Sequence, residues 1–400
     1  MLSRRELIRH IGLGTVATSL PGICFARADT DARFVLVVLR GAADGLAIAA
    51  PYGDGKYQSV RGELAIPEPG AKNGLLKLDG MFGLHPSLAS TYELFEKKEA
   101  LLVHAVSSPY RERSHFDGQD VLENGVASAG GKRDGWLNRA LAPLGGSLGN
   151  EAAIAMSQNT PLVLRGSNSV TSWAPSQLPD ADADTIRRIE MLYSEDEFFS
   201  TRLAQALDSQ EIAGDMGGMK QSHRRGNEAE QAKALMQSAG KFLTAANGPQ
   251  IAVVESGGWD THANQGSATG ALANRLAGLD EGLDALRKQL GAAWSQTVVV
   301  VVTEFGRTVK VNGTRGTDHG TWTAALLLGG AVNGGRIVAD WPGLANNKLY
   351  EGRDLYPTTD IRSIFKGILA EHLEIPPEYL DREVFPGSSA ASMTEGLIRR

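Results

Sequence analysis

The run Thr297-Val298-Val299-Val300-Val301-Val302 constrains this chain more than any other feature. Valine is branched at Cβ, stiff at χ1, and fits a pleated surface better than a helix. The run shows no polar alternation, so both of its faces must be buried, which predicts a strand in a parallel sheet covered on both sides. Four more short apolar runs read the same way: Phe34 to Leu39, Ala100 to Val106, Ile251 to Glu255 and Ala324 to Leu328. Between two of them, Thr269 to Leu290 places Leu272, Leu276, Leu279, Leu283 and Leu286 on one helical face. Leu88 to Lys98 has helical spacing and leads into the run at Ala100. Buried strands alternating with amphipathic helices predict an α/β layered fold with a mostly parallel central sheet.

Residues 180–246 differ: they are charged, helical in pattern and poor in β-branched residues, and Asp215-Met-Gly-Gly-Met219 interrupts them. We read them as a helical insertion. The N-terminus reads as a leader. Arg4-Arg5 precedes a mildly apolar run, Ile11 to Phe25, which ends at Ala26-Arg27-Ala28. A basic start, an apolar middle and a small-x-small exit make a signal peptide over residues 1–28, and paired arginines point to the twin-arginine machinery as partner. The expected domain lies over 29–400 and the expected location is the periplasm. No later run is long enough for a stable membrane span after cleavage.

Cleavage there removes the only cysteine, Cys24, so any metal must be held by His, Asp and Glu. It also removes four arginines and one glutamate, which moves the net charge from −6 to −9. An acidic chain without a basic stretch argues against nucleic acid as partner.

In a largely parallel sheet, ligands gather beyond the carboxyl ends of the strands. Asp44 follows the first run, Ser107 to Asp117 the second, Gly257 to Gln265 the third and Thr303 to Arg307 the fourth, while Thr317-Asp318-His319-Gly320 precedes the fifth. Each residue has a plain alternative. Asp44 before Gly45 suits a turn, Asp260-Thr-His262 suits a cap, His319 suits a structural role, and Glu304 suits pairing with Arg307. Together, several carboxylates and imidazoles at one sheet edge would repel or stay unsatisfied without a cation or ligand. Asp260, His262 and His319 would leave a tetrahedral ion one open position.

Arg40-Gly-Ala-Ala-Asp44-Gly-Leu46, Arg113-Ser-His-Phe116, Gly258-Trp-Asp-Thr-His262, Thr303-Glu-Phe-Gly-Arg307 and Asp318-His-Gly320 resemble an exported family catalogued as domain of unknown function 1501. The order of these motifs also resembles the alkaline phosphatase superfamily, with its sulfatases and phosphodiesterases. The resemblance implies an alkaline phosphatase-like three-layer sandwich and an exported metal-dependent hydrolase of phosphate or sulfate esters, acting on a small-molecule or glycan ester. By position it implies Asp44 as a metal ligand from the first strand and Ser114 as nucleophile at a helix start. It implies Asp260, His262 and His319 as one metal site, and Glu304 with Asp44, joined by Asp318 or Ser114, as a second. Phe305 stands where the superfamily has His, so that second site is all-oxygen. The ions are divalent, zinc or calcium, magnesium or manganese, one or two in number.

Other assignments stay open. Ser107-Ser-Pro109-Tyr-Arg111 fits the formylglycine pattern of sulfatases, and His115 is a rival nucleophile. Arg111, Arg113 and Arg307 are candidates to clamp an oxyanion, or else to pair with Glu112, Asp117 and Glu304. The alternative function is a non-catalytic metal- or glycan-binding member of the same fold in the envelope, motivated by Phe305. A third is an envelope assembly partner working through residues 180–246.

Overall fold

The computed structural model describes residues 31–144, 152–175, 183–213, 228–246 and 248–399. The expected leader and the interruption at Asp215 to Met219 lie outside the described residues.

In chain order the main elements are β1 (Arg33–Leu39), α1 (Ala89–Glu96), β2 (Ala100–Ser107), α2 (His115–Asn124), α3 (Trp136–Leu141), β3 (Ala153–Ala155) and β4 (Thr171–Ser172). Helices α4 (Ala183–Tyr193), α5 (Glu197–Ala213) and α6 (Glu228–Thr244) follow, then β5 (Ile251–Ser256), α7 (Ala271–Leu290) and β6 (Thr297–Thr303). The chain continues with β7 (Thr323–Leu328), β8 (Arg336–Val338), β9 (Thr359–Asp360) and α8 (Ile361–His372). A small three-stranded sheet is formed by Ala49–Ala50, Gly83–Leu84 and Leu76–Lys77.

The main sheet has the order β8-β2-β7-β6-β1-β5-β3-β4, with β9 also beside β2. It is largely parallel: β1 pairs in parallel with β5 and β6, and β3 with β4 and β5. The exception is β7, which runs antiparallel to both β2 and β6.

The reason for the uninterrupted apolar runs is visible in β1. Phe34, Leu36 and Val38 belong to one buried cluster, with Trp136 and Leu137 of α3 and Ile364, Phe365 and Ile368 of α8. Val35, Val37 and Leu39 belong to the other, with Phe95 of α1, Met236 and Phe242 of α6, and Leu276, Leu279 and Leu283 of α7. Alternate residues of one strand thus enter opposite cores, and the architecture is a three-layer α/β/α sandwich. The last helix of the charged stretch, α6, is a layer element: Met236, Ala239, Phe242 and Leu243 are buried in the core. Among the described residues, no helix is long and apolar enough to cross a membrane.

The antiparallel course of β7 matters for function. Its amino-terminal end lies at the same edge as the carboxyl ends of its neighbours β6 and β2, so the loop carrying Asp318 and His319 meets the loops after β2, β5 and β6.

Candidate metal centre

Three loops and one helix start build the centre. The loop after β6 turns sharply at Thr303-Glu304-Phe305, and both Glu304 and Phe305 point inward and are buried. The loop after β5 keeps Trp259 and Thr261 buried and leaves Asp260 turned outward. Arg113, just before α2, adopts a left-handed backbone with φ +64°. That conformation is uncommon outside glycine and marks a position held by its surroundings. Arg113 is held by ion pairs to the buried Asp354 at 2.8 Å and to Glu351 at 2.6 Å.

His115, Asp260 and His319 each offer one ligand atom within 4.8 Å of the others and form a candidate metal site. Nδ1 of His115 lies 2.7 Å from Oε1 of Glu304. Since Glu304 accepts, the ring proton is on Nδ1, and the lone pair of Nε2 is free. That Nε2 is buried, has no hydrogen-bond partner among the described residues, and lies 3.5 Å from Oδ2 of Asp260. His319 is set the same way: its Nδ1 donates to the carbonyl of Arg113 at 2.9 Å, and its Nε2 lies 3.2 Å from Oδ1 of Asp260. Ligands 2.0–2.1 Å from a tetrahedral ion stand about 3.3 Å apart, so the spacing of these donors fits one. An imidazole whose second nitrogen donates to a carboxylate or carbonyl is the usual state of a metal-binding histidine. The donor set, two imidazoles and a carboxylate, suits zinc better than calcium or magnesium.

His262 adjoins this group. Its Nε2 is 2.9 Å from Nε2 of His319 and 3.0 Å from Oδ1 of Asp260, and its Nδ1 is 3.4 Å from Oδ1 of Asp318. Asp318 is also held by the amide of Asn312 at 3.0 Å, which with His262 keeps its carboxyl below the usual range despite burial. The charges are tuned by their neighbours. The Glu304 hydrogen bond raises His115 above the ordinary imidazole value, and burial lowers His319. Burial opposes the charge of Asp260, but Arg307 outweighs it and depresses that carboxyl. Burial likewise opposes Glu304, and hydrogen bonds from His115, Thr303 and Gln119 outweigh it.

Several expected roles change. Asp44 does not join the centre. It is fully buried, caps the one-turn helix Gly45–Ile48 through the N–H of Leu46, and is ion-paired with Arg61. Its other partner is the amide of Gln265 at 2.7 Å. A carboxylate neutralised by a buried guanidinium is a poor cation ligand, and among the described residues Asp44 and Glu304 belong to no group placed to share an ion. Both oxygens of Glu304 are engaged: Oε1 accepts from His115, from the N–H of Gly41 at 2.9 Å and from Gln119 at 3.2 Å, while Oε2 accepts from Thr303 at 2.8 Å. Phe305 offers no ligand and stacks on His115 with centroids 5.0 Å apart. Among the described residues a single group is assembled.

The expected oxyanion arginines are engaged elsewhere. Arg307 is fully buried and holds Oδ1 of Asp260 at 2.6 Å, not Glu304. Arg113 pairs as described above. Arg111 donates to the carbonyls of Ser108 and, at 2.7 Å, Tyr110. Arg353, which sequence reasoning missed, donates to the carbonyl of His319 at 2.9 Å and has no carboxylate within ion-pair distance among the described residues. Ser107 is buried at the end of β2, paired with Asp360 of β9. Ser114 is the N-cap of the ten-residue α2; its side chain makes no capping bond, and its N–H donates to the Tyr110 hydroxyl at 3.0 Å.

The sequence offers His115 as a nucleophile; the structure groups its Nε2 with Asp260 and His319. A histidine one residue into a helix that follows a buried strand was the available signal.

The chain is a mixed α/β protein with a largely parallel central sheet and a candidate three-residue metal site. Similar solved structures include a phosphonate monoester hydrolase of Agrobacterium radiobacter, with 11% identity, 84% of this chain and 73% of that chain covered, and a TM-score of 0.37. Another is the PsFucS1 sulfatase from Pseudoalteromonas sp., with 13% identity, 92% and 74% covered, and a TM-score of 0.37. A third is the C-terminal periplasmic domain of EcEptC from Escherichia coli, solved with zinc, with 11% identity, 78% and 77% covered, and a TM-score of 0.37. These neighbours belong to the alkaline phosphatase/sulfatase superfamily. No curated protein matches the sequence. The chain belongs to the family described as "Protein of unknown function (DUF1501)", which matches residues 31–378.

Proposed function

We propose that this protein is a metal-dependent hydrolase of phosphate or sulfate esters of small molecules or glycans, exported by the twin-arginine route. His115, Asp260 and His319 would hold one divalent cation, with zinc favoured and His262 adjoining. The observation that carries this reading is the buried, unpartnered Nε2 of His115, aimed with Nε2 of His319 at Asp260. A cation there supplies stabilisation for the charge that develops on the ester oxygens.

The chain's own groups supply the rest. Ser114 is placed where the N–H groups of α2 favour negative charge. Its hydroxyl would displace the alcohol of the ester, forming an Oγ–P or Oγ–S bond and releasing the alcohol with the serine proton. Water would then bond to the phosphorus or sulfur, break the Oγ–P or Oγ–S bond, restore the Ser114 hydroxyl and release the phosphate or sulfate. Glu304 and the Arg113 carbonyl hold the imidazoles in one tautomer, and Arg307 holds Asp260.

The test is turnover of an aryl phosphate, an aryl phosphodiester and an aryl sulfate by the purified protein with zinc, manganese, calcium or magnesium. We expect cleavage of at least one, lost in Ser114→Ala. No cleavage with any metal removes the hydrolase reading. Metal uptake without cleavage would leave the second reading, a binding protein of the same fold. That no second ion group is found among the described residues around Asp44, Glu304 and Phe305 favours that alternative.

A further inference from the structure

We infer that Gln265, held in one orientation by Asp44, is a positioning residue that clamps together the two loops carrying Asp260, His262, Asp318 and His319. This rests on the metal-site reading just given, in which Asp260 and His319 hold the cation and His262 adjoins.

Gln265 is fully buried. Its Nε2 donates to Oδ2 of Asp44 at 2.7 Å. Its Oε1 accepts from the hydroxyl of Thr261 at 2.8 Å and from the hydroxyl of Thr317 at 2.8 Å. An ionised carboxylate only accepts, so the amide NH₂ must face Asp44. The carbonyl must then face the threonines, and both hydroxyls must donate. The amide therefore has one orientation available.

The two threonines are placed where a clamp would act. Thr261 is a buried residue between Asp260 and His262, and Thr317 is a buried residue one before Asp318 and two before His319. The backbone repeats the tie: the N–H of Thr317 donates to the carbonyl of Thr261 at 3.2 Å, and the N–H of Gln265 to the carbonyl of Arg315 at 3.0 Å. Arg61 extends it to a third loop. Its guanidinium pairs with Asp44 and reaches the carbonyls of Thr308 and Val309, both at 3.4 Å, next to Arg307. Metal ligands on loops depend on such supporting bonds for their geometry. The carboxylate expected from the sequence to be a ligand thus anchors the ligands from beneath.

The test compares Thr261→Val/Thr317→Val, which keeps both shapes and removes both hydroxyl donors, with Thr261→Ser/Thr317→Ser, which keeps the donors. Two readouts are taken on folded protein: zinc affinity by chelator competition, and long-range ¹H–¹⁵N spectra of the histidine rings without metal. We expect the valine pair to bind zinc about 10- to 100-fold more weakly and to shift or broaden the His262 and His319 signals, and the serine pair to match the wild type in both. If the valine pair leaves the histidine spectra unchanged, the inference is overturned whatever zinc does. If wild type takes up no zinc while the valine pair disturbs the two rings, the metal reading falls and the positioning role stands. Should the valine pair not fold, Thr317→Val alone is read by the same two criteria.

Discussion

Nδ1 of His115 and Oε1 of Glu304 lie 2.7 Å apart, and the glutamate is almost completely buried. This contact fixes which nitrogen of the ring faces Asp260. We expect Glu304→Gln to weaken zinc binding about 10- to 100-fold, as loss of such a supporting carboxylate usually does. Chelator competition measures it; an unchanged affinity would show that the ring is oriented by other contacts.

Zinc should stabilise the wild type and not the ligand variants. At a free concentration 100 times the dissociation constant, binding to the folded state alone adds about 2.7 kcal/mol. Urea unfolding with and without zinc should show that gain in wild type and its loss in His319→Ala and Asp260→Asn. An equal gain in all three would place the ion elsewhere.

Arg353 donates to the His319 carbonyl and, among the described residues, has no carboxylate within ion-pair distance, though Asp318 and Asp354 lie in its field. A guanidinium so placed is available to a substrate oxyanion. Arg353→Gln should raise the KM for an anionic ester, or the dissociation constant of inorganic phosphate, about tenfold with no more than a minor change in stability. Phosphate titration of the zinc-loaded protein reads it; equal affinity would return Arg353 to a structural role.

Gly41 has φ +120°, and a Cβ built there would come within 2.6 Å of the backbone nitrogen of Asp260. Its own N–H donates to Glu304. Gly41→Ala should therefore destabilise the fold by about 2–4 kcal/mol and displace the Asp260 loop. Urea unfolding together with zinc affinity checks both effects. A variant with wild-type values in each would mean that the loop yields without cost.

Acid should unfold the protein partly through His104, which is fully buried. Its Nε2 lies 2.9 Å from the carbonyl of Ala49 and its Nδ1 accepts from the N–H of Ala105 at 2.8 Å, so the neutral ring is satisfied on both sides. Burial pushes its pKa down to about 4. Between that value and the ordinary imidazole value near 6.5 the unfolded chain binds the extra proton and the folded one does not. The contribution is fully present above about pH 6.5 and lost as pH falls toward 4, with a loss of ~3 kcal/mol. His85 and His372, also lowered by burial, act in the same direction. Urea unfolding at pH 7 and 4.5 should show the decline, and His104→Gln, which can keep one donor and one acceptor, should show a shallower one. Superimposable pH profiles would refute the assignment.

The layered architecture was legible because burial of both faces leaves its mark residue by residue: Val298 to Val302 cannot alternate when alternate side chains enter two different cores. The leucine stripe of α7 was legible for the same local reason, and Asp260, His262 and Glu304 were legible as residues that follow strands. The direction of β7 was not. A buried run such as Ala324 to Leu328 looks the same whether its strand runs parallel or antiparallel, yet the antiparallel course is what brings His319 to the edge where Asp260 waits. Nor did local sequence separate Asp44 from Asp260, since each simply follows a strand. Arg61, seventeen residues along the chain from Asp44, takes its charge, while Arg307 leaves Oδ2 of Asp260 open toward His115. Whether a carboxylate or an imidazole can hold a cation depends on where its lone pairs point after other partners are satisfied, and contacts between distant segments decide that.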